Sequence, residues 1–185
     1  EDLSVMEQKT KYSFILRNLH IIGGLVFVAA LVLGIVMEDM ARGPEKFQLM
    51  FFHKSLGLAV LGLVALRLLE WVRSAQPVAL ESHANWEVWA AKLVKIALYI
   101  VMIVLPISGV LMSWFKGYPA AFFGLFELAP MVEKSKDLGE LFESIHKAMV
   151  PLTFGLLGLH VVGALKHHFI DRDETLVRIS PFSKG

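Results

Sequence analysis

The stretch HKAMVPLTFGLLGLH, residues 146–160, sets a histidine at each end of an otherwise apolar segment with a single lysine beside the first. Fourteen residues separate His146 from His160. At ~100° per residue that interval nearly completes four turns, so both imidazoles share one helix face, roughly 21 Å apart along the axis. An ionisable or ligating side chain is costly to keep inside a membrane span and by default marks a functional site. Two earlier apolar stretches carry one histidine each, His20 and His53. Four such histidines suffice for two haems, and the interval from His146 to His160 suits two haem sites stacked across a bilayer.

The surrounding composition supports a membrane setting. Of 185 residues, 56% are hydrophobic and only 19% charged, against ~25% charged in a soluble domain. The apolar residues gather into runs that match the ~20 residues needed to cross a hydrocarbon core. Spans are expected at about 12–37, 47–72, 86–115 and 138–168, which makes the chain a single all-α domain over residues 1–185, an integral membrane four-helix bundle. The first connection, with Gly43-Pro44, is short enough to force antiparallel neighbours, and the second holds Gln76-Pro77. The third, about Lys116 to Asp137, is the longest; its run Ala121-Phe122-Phe123-Gly124 is expected to lie along the membrane interface. Trp71, Trp86, Trp89 and Trp114 fall at span ends, where an amphipathic ring suits the headgroup region.

Other features narrow the class further. A net charge of +1 without a basic stripe points away from nucleic acid, leaving membrane lipid as the surrounding partner. The absence of cysteine excludes disulfides, iron–sulfur clusters and covalent c-type haem, so any haem is held through histidine or methionine. Numbering starts at Glu1, and the first apolar run is longer than a signal-peptide core, so the first helix is expected to be retained. With the N-terminus inside, eleven basic residues fall on the cytoplasmic side and seven opposite, which favours cytoplasmic N- and C-termini.

Depth then pairs the histidines. His20 lies about eight residues into a helix rising from the inside, or ~12 Å deep, and His160 stands about as far from the inner end of the fourth span. His53 and His146 match in the same way on the outer side. An inner pair, His20 with His160, and an outer pair, His53 with His146, are therefore expected. Two axial imidazoles leave no open iron position, which favours electron transfer over oxygen chemistry. Gly23, Gly24, Gly57, Gly62, Gly155, Gly158 and Gly163 would let backbones or a flat macrocycle approach closely.

Competing readings stand beside this one. Membrane histidines also serve as interhelical hydrogen-bond partners, and zinc or copper could use imidazole, although carboxylates and thiolates are lacking near the two pairs. His167 shares the face of His160 seven residues on, but the charges around it suggest a propionate or surface contact; His83 reads as solvated. Lys54 and Lys147 follow the outer histidines, and Arg67 lies fourteen residues after His53. These three cations could pair with haem propionates or snorkel to water, and the two lysines could also draw in a small anion. Packing alone would explain Pro106, and Met37, Met102, Met112 and Met149 read as filler.

Several motifs together resemble the bacterial cytochrome b561 family, which includes the cytochrome b subunits of nickel–iron hydrogenases. The carriers are Tyr12-Ser13 with His20; His53-Lys54-Ser55-Leu56-Gly57 with Arg67; Tyr99 with Leu105-Pro106-Ile107-Ser108-Gly109; His146 with His160; and Ala164-Leu165-Lys166-His167-His168-Phe169-Ile170-Asp171-Arg172-Asp173, continuing to Arg178. The resemblance implies an inner-membrane protein with two haems b ligated at His20, His53, His146 and His160, exchanging electrons with quinone. In one family version superoxide gives its electron at the periplasmic face and ubiquinone receives it. In another the protein is a membrane-anchor subunit relaying electrons for a larger redox complex or periplasmic redox protein. The chain departs from the family pattern at Ile21, where tryptophan is usual, and at Lys95, where a histidine commonly precedes the tyrosine.

Overall fold

The computed structural model describes residues 11–77 and 84–182. It is built on four long helices, α1 (Phe14–Glu38), α2 (Pro44–Arg73), α3 (Asn85–Phe115) and α4 (Lys136–Lys166). Each is long and apolar enough to cross a membrane. His83, read as solvated, lies outside the described residues.

Local chemistry sets the helix ends. Ser13 caps α1 by accepting from the Leu16 N–H at 3.1 Å, and its hydroxyl donates to Glu70 Oε1 at 2.7 Å, which ties the start of α1 to the end of α2. Pro44 occupies the first turn of α2, where its missing N–H costs nothing. Lys46 Nζ donates to the Met40 carbonyl at 2.7 Å, just past the end of α1. Ser135 caps α4 through the Leu138 N–H.

The buried core joins α1, α2 and α3 through Phe27 and Leu31, Val60 and Val64, and Val101 and Leu105. Each pair is spaced four residues apart, so each helix turns one stripe inward. Outward side chains are apolar as well: Leu25 is 67% exposed and Leu159 62%. Lipid is as apolar as leucine, so van der Waals fit rather than expulsion of water holds the helices together. The fourth helix differs. It packs along α3, and of its described residues only Gly139 and Thr153 are buried. No comparable packing joins it to α1 or α2 among the described residues.

The third connection folds into a hairpin, β1 (Ala120–Phe122) and β2 (Phe126–Leu128), paired antiparallel with Phe122 opposite Phe126. Phe123 and Gly124 both take positive φ, 48° and 74°, as a tight primed turn requires. The start of the hairpin packs onto α2, with Ala120 and Ala121 buried. Ser55 is the cause. Its hydroxyl contacts the Phe51 carbonyl at 2.9 Å and the Ala121 carbonyl at 3.2 Å, and accepts from the Phe123 N–H at 2.9 Å. Trp114 Nε1 donates to the Leu128 carbonyl at 3.1 Å on the other strand. Ser55→Ala leaves the Phe123 N–H without its acceptor, at a cost of about 1–3 kcal/mol. Limited proteolysis should then show faster cleavage at Phe123-Gly124, with the helices intact.

Beyond α4 the chain widens into a π-helical turn, His167–Asp171, reverses at Arg172 (φ 53°) and forms a short helix α5 (Thr175–Ile179). Arg17 Nη1 donates to the Ser180 carbonyl at 3.0 Å, and the Tyr12 N–H to the Arg178 carbonyl at 3.3 Å. The described start and end of the chain therefore meet at one end of the bundle.

Candidate functional site

The four membrane histidines meet in two pairs, one between α4 and α2 and one between α4 and α1. His53 of α2 faces His146 of α4 with ring centres 6.0 Å apart and planes at 82°. His20 of α1 faces His160 of α4, also at 6.0 Å, with planes at 74°.

The outer pair is held by two similar notches. His53 Nδ1 lies 2.9 Å from the Ala30 carbonyl of α1, and a Cβ on Gly34, four residues on, would stand 3.1 Å from His53 Cε1. His146 Nδ1 lies 2.9 Å from the Leu105 carbonyl of α3, and a Cβ on Gly109, again four residues on, would stand 3.2 Å from His146 Cε1. In each case a carbonyl and a missing side chain one turn later form the seat for a ring. Ser108 completes the second seat, its hydroxyl donating to the Leu105 carbonyl at 2.8 Å and lying 3.1 Å from His146 Nδ1. A carbonyl can only accept, so both Nδ1 atoms carry the proton and both Nε2 atoms keep a free lone pair. That is the arrangement a metal-ligating histidine needs.

Among the described residues the inner pair has no such seats, and His20 Nδ1 is buried without a hydrogen-bond partner there. The guanidinium of Arg67 is within electrostatic reach of both His20 and His160. It also lies over the Tyr99 ring, 5.3 Å from its centre.

The donor set fits haem. Imidazole–metal bonds of about 2 Å on each side, added to about 1 Å from each nitrogen to its ring centre, bring two ring centres to about 6 Å. Both pairs stand at that separation. No carboxylate or thiolate completes a tetrahedral set at either pair among the described residues, which disfavours zinc. A Cβ on Gly24, Gly62, Gly155, Gly158 or Gly163 would meet nothing within 4 Å, whereas Gly57 sits against Pro106. The former leave open surface for a flat group; the latter serves close helix packing.

The cations divide by surroundings. Lys54 Nζ donates to the Pro119 carbonyl at 3.2 Å, and Tyr118 lies beside it. Lys147 pairs with Glu143 at 3.0 Å, and Lys116 bonds the same carboxylate. Arg67 has no carboxylate partner among the described residues. His167, placed by its spacing on the face of His160, is engaged elsewhere: its Nδ1 lies 2.9 Å from Asp171 and 3.0 Å from Asp173. Lys166 bridges Asp171 and Glu87, both at 2.7 Å, and so binds the end of α4 to the start of α3. Lys95 is exposed on α3.

Sequence reasoning overlooked Gly34, Ser55, Ser108 and the two accepting carbonyls. Gly109 is part of the seat for His146, whereas Pro106 packs against Gly57. The available signal was a histidine in one span with a glycine in a neighbouring span at matching depth.

Comparison with known proteins gives the family. The chain is 30% identical over 162 residues to cytochrome b561 homolog 1 of Escherichia coli K12, an alignment covering 86% of this chain and 92% of that one. It is 28% identical over 178 residues to a protein of Yersinia pestis named probable superoxide oxidase CybB, covering 95% and 98%. Cytochrome b561 homolog 2 of Escherichia coli K12 is 27% identical over 184 residues, covering 96% and 95%. The family model for prokaryotic cytochrome b561 matches residues 11–181. A match of that extent leaves little of the chain outside it: the protein belongs to the prokaryotic cytochrome b561 family, and is a bacterial membrane cytochrome that binds b-type haem and transfers electrons.

Proposed function

We propose that this chain holds two haems b, an outer one between His53 and His146 and an inner one between His20 and His160, and passes electrons between a periplasmic donor or acceptor and the quinone pool. The observation that carries this reading is the stance of α4, which packs chiefly along α3 yet sets one imidazole against each of α1 and α2 with ring centres 6.0 Å apart. Bound haem supplies reversible one-electron exchange; the chain orients its ligands and sets the charge around it. Lys54 and Lys147 lie next in sequence to the outer ligands, and Arg67 beside the inner ones, where they can meet haem propionates. The termini face the cytoplasm, following the basic-residue bias.

Superoxide is the sharpest donor, with ubiquinone as acceptor. Lys54 and Lys147 offer positive charge at the outer end, and the Yersinia pestis relative carries the name of such an oxidase. Each superoxide would leave as oxygen after giving up one electron. Two electrons and two protons convert a quinone to a quinol. A relay subunit of a larger redox complex is the second reading, favoured by the apolar hairpin tip, where Leu125 is 77% exposed.

A reduced-minus-oxidised spectrum with haem quantitation should give two haems b per chain; none, or one, would remove the diheme reading. Lys54→Glu should slow superoxide-driven quinone reduction by roughly tenfold or more at low salt, with the gap closing as ionic strength rises. Absence of superoxide consumption by the haem-loaded parent would remove that donor, and a stable copurifying redox subunit would favour the relay.

A further inference from the structure

The third helix is longer than a hydrocarbon core. Its 31 residues run for ~46 Å, against ~30 Å for the core of a bilayer. Residues 96–115 hold no charged side chain and so fill the core by themselves, with Lys116 closing the run. The surplus therefore lies at the start of α3. Residues 85–95, about three turns, stand at headgroup level, at the end of the bundle where Glu87 meets Lys166.

This end presents unpaired cations to the headgroups. Lys92 and Lys95 are exposed and stand side by side on the helix surface, at an i, i+3 interval. Lys92 Nζ lies over the Trp89 ring, 4.8 Å from its centre. The approach of Gly57 to Pro106 and of Arg67 to Tyr99 shows α2 and α3 running antiparallel. Arg73 follows Arg67 by the same interval at which Leu93 precedes Tyr99, so Arg73, also exposed, is level with Lys92. None of the three cations has a carboxylate partner among the described residues. The carboxylates nearest them are occupied: Glu70 accepts from the Ser13 hydroxyl at 2.7 Å, and Glu87 holds Lys166 at 2.7 Å. Toward the core from the lysines, Leu93, Ile96 and Ile100 form an exposed apolar stripe at helical spacing.

We propose that Arg73, Lys92 and Lys95 bind an anionic phospholipid, its phosphate on the cations beside Trp89 and its acyl chains along Leu93, Ile96 and Ile100. An ammonium meets phosphate oxygens as a point charge, and a guanidinium meets them as a planar fork. Every phospholipid offers a phosphate, but a zwitterionic headgroup brings a cation of its own and leaves the positive charge here uncompensated. An anionic headgroup offsets it. The apolar stripe continues the lipid-facing surface of α3, so the chains of such a lipid lie where the bilayer already places them.

The haem-loaded full chain, stripped of lipid in neutral detergent, tests the site when titrated with phosphatidylglycerol or with phosphatidylcholine of the same acyl chains. Bound lipid is counted by native mass spectrometry. Phosphatidylglycerol should bind tenfold or more tightly, and the preference should shrink as ammonium acetate is raised. A basic residue near anionic lipid is worth about fivefold in affinity. Lys92→Gln combined with Lys95→Gln should therefore weaken phosphatidylglycerol binding about 25-fold at unchanged haem content, and Lys92→Arg combined with Lys95→Arg should retain it. Lys136→Gln, at the start of α4 and the opposite end of the bundle, is the control and should change nothing. If the double glutamine variant takes up no haem, the two single variants decide, at about fivefold each. Equal affinity of the parent for both lipids, a preference that survives the glutamine changes, or an equal loss in Lys136→Gln would overturn the site. Displacement of the lipid by inorganic phosphate, beyond that caused by ammonium acetate of equal ionic strength, would assign the cations to free phosphate and overturn it as well.

Discussion

Purified His160→Ala is expected to retain one haem per chain and His53→Ala one haem per chain, each variant having lost a different one. The first change removes a ring facing His20, the second a ring facing His146. Among the described residues no further imidazole is paired with either site. His167 is held by Asp171 and Asp173 about 10 Å further along the axis. The double variant should therefore carry no haem, and each single variant should halve the absorbance per protein. Difference spectra distinguish the two survivors. Loss of both haems from either single variant would mean that the sites assemble together. Retention of both would mean that these rings are not ligands.

Gly34→Val and Gly109→Val are the second test, and they replace no ligand. An added Cβ alone would stand 3.1 Å from His53 Cε1 or 3.2 Å from His146 Cε1, already tighter than ordinary contact. Valine adds bulk beside a Cβ that already presses on the ring, so the ring is expected to shift off its carbonyl. The outer haem should be lost or bound at least tenfold more weakly, while the inner haem stays at full occupancy. Gly24→Ala is the matched control, because a Cβ there meets nothing within 4 Å. Equal loss at both sites would show that the substitutions disturb helix packing at large. Unchanged occupancy would show that the notches do not hold the rings for a ligand.

The number of helices, their membrane character and the pairing of the histidines by depth were legible from the chain alone. The hairpin was not. Its residues include Ala121-Phe122-Phe123-Gly124, which by composition suits a membrane interface equally well. What draws them onto α2 is one serine, Ser55, whose hydroxyl looks like any other until a backbone is brought to it. Lys54 and Lys147 look alike in sequence, each next to a histidine, yet one reaches a carbonyl of that connection and the other a glutamate on its own helix.

What the sequence determined by itself follows from two periodicities: the length of apolar run that a bilayer demands, and the 3.6-residue turn that sets His146 and His160 on one face. Both act along the chain, so a reader needs no partner helix to apply them. The seats behind the outer rings came only with the tertiary structure. Their acceptors are backbone carbonyls, which every residue possesses and no sequence marks. Which carbonyl meets which imidazole depends on the rotation and crossing of α1 against α2 and of α3 against α4. The difference between the outer and inner pairs is therefore a property of packing, although all four histidines are visible in the sequence.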